Sequence, residues 1–298
     1  MLGGLLCPFG GHAGASYHTD RAQPCMAYHS ALKAESAWGG VTMVSIEPRP
    51  SQVTIHLDEA GYDRAHFWLP ELIEIGTTGE RPTFGDDPGH PLSWVPAGEA
   101  GVCYELAIPG RLSLTAGIRG DDSGYSLELA IGNLTGHTWQ RVHAAACMQL
   151  TAAASYLDLP RERTRCIVNG ELVSLAEMET IGGKPQYLFA IIAGHVSQAR
   201  HGDPTRPSAK WCHTIEHPDD GFVCVTSVDG TRTLWTGWED IQFLQSNATP
   251  SYGCIHANPY FGDIGAGEQV VRRGRVAVVE GGPAAARGAF LAAFGADA

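Results

Sequence analysis

The string His213-Thr-Ile-Glu216-His217 carries the sharpest chemical spacing in this chain. On a helix, imidazoles four residues apart share one face and reach a single ion, while the glutamate activates a bound water. The neighbours resist that helix. Pro218 follows directly, Pro207 lies just upstream, and Thr214 and Ile215 are β-branched, which leaves room only for a short helix. In extended chain His213 and His217 share a face but stand ~13 Å apart, too far to hold one metal. The segment therefore offers a metal set of His213, Glu216 and His217 (for a divalent ion, Zn or Ca) if helical, and His213 as an acid–base group if not.

A second cluster runs from Tyr252 through Cys254, His256, Asn258, Tyr260 and Asp263 to Glu268. Its Gly and Pro residues read as a loop ending at a strand, the place where a rigid scaffold displays functional groups. An aspartate near a histidine orients the ring and holds its tautomer, as general acid–base chemistry requires. His256 and Asp263 are the candidate pair, with Tyr252 and Asn258 as substrate contacts. Trp211, Trp235 and Trp238 lie close in sequence to these histidines, beside Glu239-Asp240. Aromatic rings joined to carboxylates and amides suit the flat C–H faces and hydroxyls of a sugar. Alternation on the strand puts Trp238 in the core with Leu234 and turns Trp235 toward a cleft, so Trp211 and Trp235 are the expected stacking residues and Glu239 a second candidate carboxylate. His12, His18, Asp20, His29, His195 and His201 are further metal-ligand candidates. Thirteen of the 298 residues are histidine, about twice an ordinary share.

Composition narrows the partner classes. Acidic residues outnumber basic ones by 32 to 20, for a net charge of −12, so nothing favours a polyphosphate and nucleic acid is not expected. The densest basic run, Arg272-Arg273-Gly274-Arg275, alternates with apolar residues and reads as the solvated face of a strand. No apolar run is long enough for a spanning helix, and the N-terminus lacks a basic n-region ahead of its broken apolar stretch. The expectation is a cytoplasmic protein by default, with secretion left open. Eight scattered cysteines show no Cys-x-x-Cys pair and read mostly as buried thiols. Phosphate-loop and Gly-x-Ser-x-Gly signatures are both missing.

The elements that must position these groups are strands. The 37 glycines and 18 prolines favour turns over long helices. Alternating runs occur at 41–46 and 53–57, in four segments between 102 and 150 read as a meander, and at 186–192, 222–228, 231–238 and 269–279. Asp229-Gly230 between two of these runs is a strong hairpin signal, for a turn in which both central residues take positive φ. Ser174-Leu-Ala-Glu177 has capping-box spacing, and Pro283 opens a C-terminal helical run. Ten or more strands with turns every 8–12 residues predict an all-β fold: a large antiparallel β-sandwich with few short helices and a C-terminal helix. Residues 1–38, without periodicity, read as an arm, and 39–298 as one sandwich domain.

Tyr125-Ser-Leu-Glu-Leu-Ala-Ile-Gly-Asn133-Leu-Thr-Gly-His-Thr-Trp139 resembles the strand, Asn-x-Thr turn, strand passage of galactose-mutarotase-like supersandwich proteins. The segment from Cys254 to Gly274 is similar to the C-terminal part of uncharacterised bacterial β-sandwich proteins. The resemblance implies a supersandwich with a carbohydrate cleft, used in that superfamily by epimerases, polysaccharide lyases and glycoside-processing enzymes. The epimerases' His-Pro-Tyr-Phe string follows the Asn-x-Thr strand directly, whereas His256-Ala-Asn-Pro-Tyr-Phe261 comes far later, so their mechanism does not transfer. His213-x-x-Glu216-His217 matches the inverzincin metallopeptidase signature. Three readings follow: a carbohydrate-active enzyme with a small-molecule or oligosaccharide substrate, a metal-dependent hydrolase or oxidase, and a non-catalytic carbohydrate-binding protein. The sugar, the reaction and the oligomeric state stay open.

Overall fold

A computed structural model describes residues 46–49, 51–76, 78–80, 82–84, 92–98, 100–196 and 209–295. The N-terminal arm with His12, His18, Asp20 and His29, the first part of the strand expected at 41–46, and His201 lie outside them. Two nine-stranded sheets pack face to face. Sheet A runs β1 (Ile46–Arg49), β2 (Gln52–His56), β3 (Arg64–Glu74), β8 (Trp139–Gln149), β17 (Tyr252–Ile264), β16 (Ile241–Thr249), β12 (Lys184–Ile191), β13 (Trp211–Thr214), β11 (Thr180–Ile181). Sheet B runs β10 (Glu171–Ser174), β9 (Thr164–Val168), β14 (Val223–Thr226), β15 (Arg232–Trp238), β18 (Gln269–Glu280), β7 (Gly124–Asn133), β6 (Leu112–Asp121), β5 (Gly101–Ile108), β4 (Val95–Pro96). All pairings are antiparallel except β12 with β13. Among the described residues, no helix is long and apolar enough to cross a membrane.

Period-two alternation builds the core. Leu112, Leu114, Ala116 and Ile118 of β6, Leu127, Leu129 and Ile131 of β7, and Val142, Ala144, Ala146 and Met148 of β8 are all buried between the sheets. The opposite face of sheet B holds a smaller apolar cluster, in which α1 (Pro283–Phe294) lays Ala286 and Phe290 over Ile167, Phe222, Cys224 and Trp235. Gly237 makes this possible, since a Cβ there would stand 2.5 Å from the Phe290 ring.

Several sequence expectations change. The four-strand meander is three: β5, β6 and β7 are neighbours, but β8 crosses to sheet A. Asn133 shapes that crossing, as its amide donates to the carbonyls of His137 and Ile264 while its Oδ1 accepts from Thr135. The Asp229-Gly230 hairpin joins β14 to β15, yet only Gly230 has positive φ. Asp229 instead accepts hydrogen bonds from Ser227 Oγ and Thr231 N, holding a longer connection than a two-residue turn. The capping box at Ser174 forms its bonds, Ser174 N to Glu177 Oε2 and Ala176 N to Ser174 Oγ, around a single turn that never becomes a helix. The C-terminal helix forms with Pro283 in its first turn. Of the eight cysteines, 147, 166, 212, 224 and 254 are buried thiols, while Cys103 is disulfide-bonded.

The basic run of β18 is neutralised residue by residue. Arg272 meets Asp240, Arg273 meets Glu128 and Glu239, and Arg275 meets Asp121 at 2.6 Å. Burial alone would raise the Asp121 pKa, but hydrogen bonding and charge from Arg275 outweigh it and hold the carboxyl below its usual range. A carboxyl depressed on folding stabilises above its unfolded pKa of about 3.9 and loses that contribution as pH falls through the folded value. Asp121→Asn should therefore cost up to about 1 kcal/mol at neutral pH, a small value because the carboxylate is 42% exposed, and urea titrations should show the gap closing as the pH falls below the ordinary carboxylate range. Phe290→Ala should cost about 3–5 kcal/mol in the same assay; a loss under ~1 kcal/mol would mean that α1 is not anchored by this ring.

Candidate functional site

The outer face of sheet A is polar and largely buried. Its residues are the alternates of the core set: while Ile255, Ala257 and Phe261 of β17 point inward, Tyr252, Cys254, His256, Asn258 and Tyr260 fall on the other face. The expected loop at 252–264 is thus a thirteen-residue strand in the middle of the sheet. Pro259 hides this in the sequence, because a proline normally argues against a central strand; it sits where the β16 register shifts between Ile241 and Phe243.

Register sets the chemistry. On β8, Cys147 pairs with His256 and His143 with Tyr260. Cys254 Sγ lies 3.1 Å from His256 Nε2, Asn247 Nδ2 donates to Cys254 Sγ at 3.0 Å, and Cys147 Sγ stands 3.4 Å from the Tyr252 hydroxyl. Burial would raise the Cys254 pKa, but the Cys147 thiol, the His256 ring and the Asn247 amide together pull it well down. Burial would likewise lower that of His256, yet Cys254 raises it, with Glu71 adding to the effect. Both shifts favour the charged form of their group, thiolate on Cys254 and imidazolium on His256. Burial, then Cys254, pushes the Cys147 thiol up. His256 Nδ1 closes no hydrogen bond.

At the other end of the same strands sit two histidine–carboxylate pairs. His143 and Glu74 are cross-strand partners on β8 and β3, buried, with Nε2 and Oε2 3.9 Å apart. His195, in a 3₁₀ turn after β12, places Nε2 3.2 Å from Asp240 Oδ1 and its ring 4.6 Å from that of Tyr260. Arg272 holds the other Asp240 oxygen at 3.4 Å, and His195 Nδ1 has no hydrogen-bond partner. An imidazole oriented by a carboxylate with its second nitrogen free is the arrangement of a general acid–base. From His143 an aromatic run continues across the sheet: His143 edge-on to Phe243 at 4.9 Å, Phe243 stacked on Phe189 at 4.2 Å, and Phe189 against Trp211 at 6.3 Å.

These placements revise the expected site. His213 lies on β13, so the metal-binding helix does not form; its ring is 5.2 Å from Phe189. His217 Nδ1 lies 3.1 Å from the Ile191 carbonyl, and Glu216 is exposed. Among the described residues, the three do not converge as a metal set. Asp263 is exposed and accepts from Arg141 N at 2.9 Å, about 23 Å along the strand from His256, whose partner is a thiol. Glu239 binds Arg273 at the surface, while its neighbour Asp240 faces His195. Trp235 is sealed under α1 on sheet B, 5.9 Å from Phe290, and lines no part of this face. Asn258 has both amide ends committed, accepting from Ala146 N and donating to Gln245. Trp211 and Tyr252 do lie on the outer face. Sequence reasoning missed Glu74, on a strand outside the alternating runs, and His143, Cys147 and Tyr187, which fall within those runs on their outward face. A shallow recess beside Cys254, lined by Leu150, Tyr156 and Asn247, has a cavity volume of about 10 Å³, room for a water and far below the roughly 300–1,000 Å³ of small-molecule sites.

No protein-family profile matches the sequence, and no curated protein does. Solved structures similar in fold include a galactose mutarotase related enzyme from Lactobacillus acidophilus, 8% identical, with TM-score 0.44 over 81% of this chain and 99% of that one. A galactose mutarotase-like protein from Lactobacillus casei is 10% identical, with TM-score 0.44 over 79% and 100%. An α-N-acetylgalactosaminidase from Bifidobacterium bifidum is 10% identical, with TM-score 0.46 over 86% of this chain and 38% of that one. The two large, mostly antiparallel sheets make the chain an all-β sandwich.

The Cys254–His256 pair has a spectroscopic consequence. Thiolate absorbance in the far ultraviolet should persist below the ordinary thiol pKa of about 8.5 and vanish on acidification as the depressed group takes up its proton. Cys254→Ser should abolish it and His256→Asn should move its titration upward. An unchanged neutral-pH spectrum in folded Cys254→Ser would show that the thiol is protonated.

Proposed function

We propose that this protein is a carbohydrate-active enzyme whose acid–base groups are the His143–Glu74 and His195–Asp240 pairs on the outer face of sheet A. One observation carries the reading: two histidine–carboxylate pairs flank Tyr260 and adjoin an aromatic run that reaches Trp211. Epimerisation, β-elimination and glycoside cleavage all need one group to give a proton and another to take one. His195, oriented by Asp240, supplies one imidazole; its Nδ1 is buried without a partner, so transfer at that nitrogen requires a local opening of the 3₁₀ turn that carries it. His143 supplies the second imidazole beside its carboxylate. Trp211 and Tyr187, edge to face at 5.6 Å, supply ring faces for a sugar's C–H surface. Gln245 adds an amide for a hydroxyl.

The test is a panel of aldoses, uronides and glycosides assayed for anomer interconversion, unsaturated product and aglycone release. Turnover of one class is expected, and His195→Asn should lower kcat about 100-fold or more with little change in KM. Asp240→Asn, which keeps shape but loses control of the tautomer, should follow it. Full turnover in both variants, or no turnover of any sugar by the parent protein, would overturn the reading.

A further inference from the structure

We propose that Cys147, Cys254 and His256 form a binding site for one thiophilic divalent metal ion of the zinc class. The inference stands apart from the sugar reading, because Cys147 lies four residues along β8 from His143, a separation of about 13 Å.

Convergence is the first argument. The two sulfurs and an imidazole nitrogen all lie within 4.8 Å of one another, and all three residues are buried. Two thiolates and one imidazole are a known donor set for a catalytic zinc ion, which keeps a fourth position open. Around a tetrahedral ion with Zn–S near 2.3 Å and Zn–N near 2.05 Å, a sulfur and a nitrogen stand about 3.6 Å apart. Cys254 Sγ and His256 Nε2 are now at 3.1 Å, so small side-chain rotations would open the space.

Charge is the second. Two thiolates and a neutral imidazole balance a dication, whereas they would leave a monovalent ion overcompensated in a buried place. Softness is the third: sulfur donors select zinc-like ions over calcium or magnesium, which take oxygen. The outer partners also fit. Asn247 Nδ2 already donates to one sulfur, and the Tyr252 hydroxyl sits beside the other, the kind of contact that orients ligands and tunes their basicity. The frame is rigid, since two donors alternate on β17 and the third is directly opposite His256 on β8. Little ordering is left to be done on binding.

The experiment uses the full chain, stripped with a chelator and kept anaerobic so that thiols stay reduced, then titrated with Co²⁺ and with Zn²⁺ against a chromophoric competitor. One equivalent of Co²⁺ should produce a thiolate-to-metal charge-transfer band and the visible bands of a tetrahedral ion, and Zn²⁺ should erase both. Cys147→Ser and Cys254→Ser should each abolish the charge-transfer band or weaken binding about 100-fold or more, while His217→Ala should leave it unchanged. Tyr252→Phe, a milder change, should weaken Co²⁺ by about 10-fold and decides the matter if the cysteine variants fail to fold. The proposal falls if no stoichiometric tetrahedral spectrum forms, or if it survives in folded cysteine variants. It also falls if the cysteine variants do not fold and Tyr252→Phe binds as tightly as the parent. Failure here leaves the His195→Asn result untouched, so the two readings are judged separately.

Discussion

The pairing of β8 with β17 is the constraint on which the rest of this molecule depends. It lies near the middle of sheet A, flanked by β3 and β16, and sets Cys147 opposite His256 and His143 opposite Tyr260. A slip of one residue would exchange faces, sending Ala144 and Ala146 outward and the thiol and histidine into an apolar core. Asn258 resists that slip. It is fully buried, its Oδ1 accepts from Ala146 N on β8, and its amide donates to Gln245 on β16, so one side chain ties three adjacent strands together.

The two outer faces of the sandwich solve burial in opposite ways. Sheet B covers Trp235, Phe222 and Cys224 with α1, an apolar solution needing only shape and a glycine at 237. Sheet A buries imidazoles, thiols, amides and carboxylates, each of which costs free energy unless it finds a partner. The partners come from within the face: Glu74 for His143, Asp240 for His195, Cys254 for His256, Thr54 for His66 at 3.1 Å. Stability alone is served more simply by the apolar arrangement across the molecule, which is the physical reason for placing function on sheet A.

Architecture was legible where alternation was clean. The strands at 102–108, 112–118, 125–131 and 269–279 carry one apolar face each and were read nearly to their ends, and Pro283 marked the helix. The site was less legible because its strands break the rule that makes strands visible. Between Tyr252 and Ile264 both faces are buried, one apolar and one polar, and Pro259 with glycines at 253 and 262 imitates a loop. His256 was found for its type, yet given the wrong partner: Asp263 is near in sequence but lies far along an extended chain, whereas Cys254, two residues away, shares its face. Glu239 stands one position from Asp240, the carboxylate that faces His195. Trp235 was assigned correctly to the face opposite Trp238, but which faces are covered is decided by α1, distant in sequence.

The same geometry would let the two proposed chemistries share one face. Strand rise separates the thiol end from the carboxylate end by about 13 Å along β8, beyond direct contact. Each histidine therefore answers to its own neighbour. His256 stands beside sulfur, where it can pair with a thiolate or join it around a soft metal, while His195 stands beside the oxygen of Asp240. Identical side chains acquire different roles because a pleated sheet meters out their surroundings, and that spacing comes from the backbone.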